Sequence, residues 1–429
     1  MRRLCFLLAA LLTMTLAFAQ DQDTTQVDAR VDQQASVQDF DPYAATEKYL
    51  NTMTAEQKAK SDSYFEGGYW LILWDLLYGL AVAWIFMSKG LSQRLKSIAT
   101  KAKNVNVQNF IYVALYFIAA YVLSYPLNIY ENFFREHQYD LSNLSFGGWM
   151  GEEFKGLLVS IILGSLLTVG IYSAIRRLKE NWWKWAGGFS FVILFFLILI
   201  APVFISPLFN TYTPLTDETV KEAILSMARA NSVPVDNVYQ FDASKQSDRI
   251  SANVSGIGNT IRISLNDNLL NRCTPEEVKA VMGHELGHYV LNHVYESLVY
   301  FTVIIFIGFG FVHWSFKKVV ARWGGNWSSK EIGDIATFPL FVALFSVYFV
   351  LARPAINSII RTNEQEADVF GLNASREPDG FASVAMKLSE YRKINPGPLE
   401  EILLFDHPSG RTRVLTAMKW KAENLKKRR

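Results

Sequence analysis

Three of the six histidines in this 429-residue chain fall in one stretch, VMGHELGHYVLNH, residues 281–293. His284 and His288 are four residues apart, so on a helix both imidazoles leave one face about a turn apart, a spacing that suits a single tetrahedral zinc ion. Glu285 stands beside the first of them, within reach of a metal-bound water. This is the H-E-x-x-H pattern, whose chemistry is two ligands and a general base for hydrolysis. Gly283 and Gly287 are poor helix formers within the same helix, and small residues there let a second backbone or a substrate come close. The plain alternative, a buried polar helix with satisfied histidines, accounts for neither the glycines nor the ionisable Glu285.

A catalytic zinc needs a third protein ligand and an open position. Glu364 and Asp368, in RTNEQEAD at 361–368, are also four apart and share a helical face, with the small Ala367 beside them. Glu364 would complete a His-His-Glu set, and Asp368 would orient a ligand histidine or assist proton transfer; a solvated acidic helix face is the competing reading. His407, in DHPSGRTR at 406–413, precedes a proline and lies in a polar cluster that reads as either an active-site loop or a surface turn. His293 is five residues past His288, which on a continuous helix turns it away from the metal, so a packing or helix-end role is expected. His137 and His313 receive no role. Residues 251–265, SANVSGIGNTIRISL, read as a hairpin with a glycine turn. An exposed strand edge there would hold an extended peptide through main-chain hydrogen bonds.

The elements that must position these residues follow from pattern. Thr274-Pro275-Glu276-Glu277 has the cap, proline and capping-box signature of a helix start, so a helix runs through the histidines. Apolar runs long enough to cross a bilayer lie at about Tyr69–Met87, Phe110–Leu127, Leu157–Ile175, Phe189–Phe209, Leu298–Phe316 and Ile335–Ile356. Half of the chain is hydrophobic and its mean hydropathy is +0.12, as expected of a membrane protein. Lys89, Arg94, Lys96, Lys101 and Lys103 fill one connection, Arg176, Arg177, Lys179 and Lys184 another, and Lys317, Lys318, Arg322 and Lys330 a third. The positive-inside rule makes these cytoplasmic and puts the segments bearing the site on the opposite face.

The run from Leu4 to Phe18 after Arg2-Arg3, ending Ala17-Phe18-Ala19, reads as a signal peptide, with an uncleaved first span as the alternative. A polar arm follows it. The net charge of +2 and the lack of a basic face exclude nucleic acid as a partner. Two cysteines, Cys5 and Cys273, supply neither a disulfide framework nor a thiolate zinc site.

Taken in order, these motifs resemble the type I CAAX prenyl proteases, or STE-type endopeptidases, which are multi-pass membrane zinc metalloproteases. The likeness rests on Gly283-His284-Glu285-Leu286-Gly287-His288, on Glu364 with Ala367 and Asp368, and on His407-Pro408 with Arg413. It rests also on SPLFNTYTPL at 206–215 and on Pro126-Leu127 with Tyr130 and Phe133, and it extends from about Tyr64 to Leu415. The resemblance implies that His284, His288 and Glu364 bind zinc, that Glu285 activates water and that Asp368 is a second catalytic acid. It implies that His407 and Arg413 stabilise the tetrahedral intermediate and that the strand Ser251, Ala252, Asn253, Val254, Ser255 binds substrate backbone. Ser251-Ala252 departs from the family's Asn-Ala, the family's first span falls on the run read here as a signal, and eukaryotic members face their zinc domain to the cytosol.

The expected fold is therefore mostly α: a polytopic ring of membrane helices around a chamber, with a gluzincin-type zinc peptidase domain carrying a small β-hairpin or sheet. The expected divisions are a signal at 1–19, an arm at 20–62, a four-span membrane domain at 63–213 and the zinc domain at 214–429. The expected function is a bacterial inner-membrane zinc endopeptidase with one Zn2+ per chain, its site on the periplasmic side, acting on a peptide or protein substrate in or near the bilayer. Rival readings are an envelope quality-control protease of broad specificity and a non-catalytic transporter or chaperone-like chamber. The clustering of charges beside the spans rather than within them speaks against the last.

Overall fold

Each of the six apolar runs between residues 69 and 356 becomes part of a helical stretch in the computed structural model, which describes residues 40–256 and 261–427. The signal reading at 1–19 and the glycine turn at Gly258 lie outside the described residues. In chain order the helices are α1 (Pro42–Leu50), α2 (Ala55–Ser88), α3 (Leu91–Ala99), α4 (Val105–Ile129), α5 (Phe146–Leu178) and α6 (Trp182–Ile200). A mixed domain follows, with β1 (Tyr212–Pro214), α7 (Glu218–Ala230), β2 (Val238–Phe241), β3 (Ala252–Ser255), β4 (Arg262–Asn266), α8 (Asp267–Arg272) and α9 (Pro275–Val290). Then come α10 (His293–Trp323), α11 (Phe338–Ser375), α12 (Pro378–Leu388), α13 (Pro398–Leu404) and α14 (Gly410–Lys427).

Five continuous helical stretches among the described residues are long and apolar enough to cross a membrane. The longest, Phe146–Leu208, holds two of the six expected spans: the chain breaks at Lys179, whose φ is +47°, and α6 packs back along α5. Neighbour contacts run α2 to α4, α4 to α5, α5 to α6, α6 to α10, α10 to α11 and α11 back to α2, which closes a ring. Only 6% of the most apolar window in 146–208 and 17% of that in 105–138 is buried, as in helices exposed on two sides rather than packed in a solid bundle. All six ring helices meet in one aromatic core made by Phe86, Tyr112, Tyr116, Tyr172, Trp182, Phe316 and Phe341 among others. It closes the end of the ring where the three basic connections lie.

At the other end the helices outrun their apolar spans. The extensions carry the contacts to the mixed domain: Arg249 pairs with Glu136 at 2.6 Å, the Ser61 hydroxyl donates to the Ser389 carbonyl at 2.7 Å, and Arg262 donates to the Pro202 carbonyl at 3.1 Å. The sheet order is β1-β2-β4-β3, with β2 parallel to β4 and the other pairs antiparallel, so β3 is an edge strand. Its buried side is filled by Ile263, Leu265, Val238, Ile224, Leu269, Met282 and Leu286. The segment expected as a polar arm at 20–62 is in its described part not free. Helix α1 lies within it, with Leu50 and Tyr49 in an apolar cluster with Phe381, Met386 and Met418, and with Glu47 paired to Arg411. α2 starts at a Thr54–Gln57 capping box, inside the same segment.

Candidate metal centre

Helix α9 begins as its sequence signature requires. The Thr274 hydroxyl accepts from the Glu277 N–H and the Glu277 carboxylate from the Thr274 N–H, with Pro275 in the first turn. The far side of Glu277 is fixed by Ser383 and Lys387, each 2.6 Å away, so the helix is anchored before the first ligand. α9 and α11 then cross where both are small. A β-carbon added at Gly283 would lie 2.8 Å from the Gly371 carbonyl, and one at Gly371 would lie 2.7 Å from the His284 nitrogen. Gly287 abuts Ala367 in the same way. The glycines are thus the means by which two backbones come close enough for Glu364 to reach the histidines.

The three donor atoms converge. His284 Nε2 and His288 Nε2 are 3.1 Å apart, and Glu364 turns one oxygen to each, Oε2 at 3.3 Å from the first and Oε1 at 3.4 Å from the second. Zinc bonds of about 2.0–2.1 Å at tetrahedral angles place ligand atoms about 3.3 Å apart, so the set has the dimensions of such a site. Its proton arrangement also fits a cation. His284 Nδ1 lies 2.7 Å from Asp368 Oδ1, and a carboxylate only accepts, so the proton of the imidazole is on Nδ1 and Nε2 presents a lone pair to the cluster. Two imidazole lone pairs and a carboxylate facing one another repel unless positive charge lies between them, supplied by protons hydrogen-bonded to Glu364 or, in their place, by a metal ion.

Around the donors, burial and charge set the remaining chemistry. Asp368 is 2% exposed, and both its oxygens are taken, by His284 and by Arg413 Nε at 2.9 Å and Nη2 at 2.5 Å. Burial alone would raise its pKa, but the Arg413 guanidinium and the His284 hydrogen bond hold it below the ordinary carboxylate range. Burial lowers the His284 pKa, and the hydrogen bonds of Asp368 and Glu364 overcome this and raise it to about 10. Glu364 is held well below the usual range: burial acts upward, and the His284 and His288 hydrogen bonds outweigh it. Glu285 goes the other way, its pKa raised by burial against the lowering pull of the two histidines. Its carboxylate makes no hydrogen bond among the described residues and lines the clefts on both sides of the donors. His407 reaches the open side, with Nε2 3.2 Å from Glu364 and Nδ1 2.8 Å from Asp406.

The two clefts run along β3. One, of about 220 Å³, is lined by Ser251, Ala252, Val281, His407, Arg413 and Arg392; the other, of about 500 Å³, by Val254, Ser255, His288, Leu298, Phe301 and Leu194 of the membrane ring. The Asn266 N–H donates to the Ser251 carbonyl, and the Ser251 N–H donates to the Asn266 side chain. Alternation in an antiparallel pair then points the N–H and C=O groups of Ala252 and Val254 to the free edge. Of the five strand residues expected to bind substrate, these two have open backbone groups, whereas Ser251 has its own already satisfied.

Residues 214–421 match the model of peptidase family M48, and residues 42–211 match that described as CAAX prenyl protease N-terminal, five membrane helices. The chain belongs to peptidase family M48. This M48 chain is a multi-pass membrane metalloendopeptidase, acting on peptide or protein substrates. Among its relatives, an uncharacterised metalloprotease, YhfN, of Bacillus subtilis is 29% identical over 66% of each chain. The CAAX prenyl protease 1 homolog of Oryza sativa is 27% identical over 78% of each chain. CAAX prenyl protease 1 of Saccharomyces cerevisiae is 24% identical over 82% of this chain and 83% of its own. The crystal structure of Ste24p from S. mikatae superposes with a TM-score of 0.71 at 23% identity, covering 88% of this chain and 95% of that one. That likeness carries the ring architecture.

One expectation about the M48 site changes. His293 is not turned away: α9 ends at Val290, Asn292 takes φ +62°, and the new helix α10 swings the His293 ring back until its Nδ1 lies 2.9 Å from that of His288. Asparagine is the residue after glycine most at ease in that left-handed conformation, so Leu-Asn-His held the signal of a helix end. Asp368, expected to orient a ligand histidine or assist proton transfer, meets His284 Nδ1, and Arg413, expected to stabilise the tetrahedral intermediate, pairs with Asp368 behind that ring. Arg413 still lines the smaller cleft.

Proposed function

We propose that this peptidase holds one zinc ion on His284, His288 and Glu364 and hydrolyses peptides laid in extended form along β3. The observation that carries the reading is the convergence of three donor groups, with His284 Nε2 and His288 Nε2 3.1 Å apart, one Glu364 oxygen 3.3 Å from the first and the other 3.4 Å from the second, spacings that a single zinc ion can bridge. Zinc, when bound, supplies a water acidified toward neutrality and polarisation of the scissile carbonyl. The protein does the rest. Ala252 and Val254 pair with the substrate backbone and set its register across the donors. Glu285, unpartnered and with its pKa raised by burial, takes the water proton and delivers it to the leaving amine. His407, its Nδ1 tied to Asp406 and its Nε2 3.2 Å from Glu364, stands at the open side of the donors, where the scissile carbonyl would lie.

Charge supports one side of the membrane. The three basic connections lie at the end of the ring opposite the metal donors, which under the positive-inside rule favours a site outside the cytoplasm, facing the periplasm of a bacterial inner membrane. Glu285→Gln tests the chemistry: it should keep zinc at one per chain and reduce peptide hydrolysis by at least about a thousandfold. Cleavage by that variant at the wild-type rate refutes the role of Glu285, and loss of zinc with it refutes the division between ligands and base.

A further inference from the structure

The two histidine donors are supported differently. His284 Nδ1 meets a carboxylate directly, at 2.7 Å. His288 Nδ1 meets another imidazole, His293 Nδ1 at 2.9 Å, and His293 Nε2 in turn lies 3.2 Å from Glu366 Oε2. Only one assignment of protons satisfies this chain when both rings are neutral. The Glu366 carboxylate accepts, so His293 carries its proton on Nε2 and its Nδ1 is an acceptor. His288 must then donate from Nδ1, which leaves its Nε2 lone pair facing His284 and Glu364. Ordinary packing does not ask for this: an aliphatic residue would fill the site of the His293 ring, which is 3% exposed.

We propose that His293, anchored by Glu366, is a positioning residue that fixes the tautomer and ring plane of His288 for metal binding. The proposal rests on the zinc reading above and involves no change of protonation. It also unites the carboxylates of the α11 stretch Glu364-Gln365-Glu366-Ala367-Asp368 around one centre. Glu364 is a ligand, Asp368 sets one histidine, and Glu366 sets the other through His293. Partners of this kind are generally worth about 10–100-fold in metal affinity.

The test is zinc affinity of the detergent-solubilised full chain, measured by competition with a chromophoric chelator and independent of turnover. His293→Leu should bind zinc about 10–100-fold more weakly. His293→Asn, whose Oδ1 occupies the place of Nδ1 and accepts from His288, should stay within about threefold of wild type. Glu366→Lys, at a side chain 56% exposed and so harmless to folding, removes the acceptor and should weaken binding about tenfold. Wild-type affinity in Glu366→Lys, or in a folded His293→Leu protein, overturns the proposal, as does an Asn variant no better than Leu. His288→Ala separates the two claims: if it still binds zinc with wild-type affinity, the zinc reading itself has failed.

Discussion

Gly371→Ala places a methyl group between α11 and α9 and tests whether the glycine contact sets the metal site. The added carbon would lie 2.7 Å from the His284 nitrogen, 2.9 Å from its Cα and 3.0 Å from the Gly283 carbonyl carbon. All three are backbone atoms, so no side chain can turn aside. Bringing the shortest contact to an ordinary 3.4 Å needs a separation of about 0.7 Å between the helices. Overpacking of this kind destabilises by about 1–3 kcal/mol. The same displacement moves Glu364 relative to the histidines by a third of a zinc bond, which is about 2.0–2.1 Å long, so the third ligand is weakened or lost. The expected loss of zinc affinity is at least about tenfold, or 1.4 kcal/mol, with the far side of the ring unaffected. Chelator competition measures the affinity, and thermal melting of the metal-free protein measures the fold. A Gly371→Ala protein with wild-type zinc affinity would show that the helices close by another route and refute the argument.

Three further outcomes follow. Asp368→Ala removes the acceptor of His284 and leaves the Arg413 guanidinium buried and unpaired; the melting temperature should fall with about 3–5 kcal/mol of stability, and Asp368→Ala with Arg413→Leu should recover part of it. Glu277 is held below the ordinary glutamate range, burial opposing and the Lys387 and Ser383 hydrogen bonds prevailing, so its contribution to stability is complete above a pH of about 4.5 and is lost as pH falls through its depressed folded value. In Lys387→Met the folded value rises, and acid unfolding followed by tryptophan fluorescence should begin at higher pH than in wild type. Single cysteines at Ser328 and Asp379, both exposed and at opposite ends of the ring, should react with an impermeant maleimide from the cytoplasmic and periplasmic sides respectively; labelling of Asp379→Cys only from the cytoplasm reverses the assigned orientation.

The three converging donors, the candidate base beside them, the six apolar runs and the helix start at Thr274 were all legible in the sequence, because each depends on spacing along one element. His284 and His288 share a face by periodicity alone, and Gly283 and Gly287 announce a close approach without naming what approaches. What the sequence concealed depends on how elements meet. The reversal at Asn292 turns a residue five positions past His288 into its hydrogen-bond partner, so a continuous-helix projection assigns His293 to the wrong side. Arg413 has to be seen against Asp368 before its guanidinium is known to be spent on that carboxylate. Ser251 reads as part of the substrate strand, yet Asn266 across the ladder consumes its backbone groups.

Helix α11 is one unbroken element from Phe338, in the aromatic core that closes the ring, to Ser375, past Glu364 and Asp368. No cut in the chain therefore frees a water-soluble catalytic fragment: severing the bilayer portion from residues 357–375 also removes the rod that fixes the third ligand in register. The consequence for handling the enzyme is practical. Detergents and lipids that change the tilt or packing of the spans act on the metal donors through the same continuous helix, so metal occupancy would serve as a measure of how well the membrane ring has been preserved.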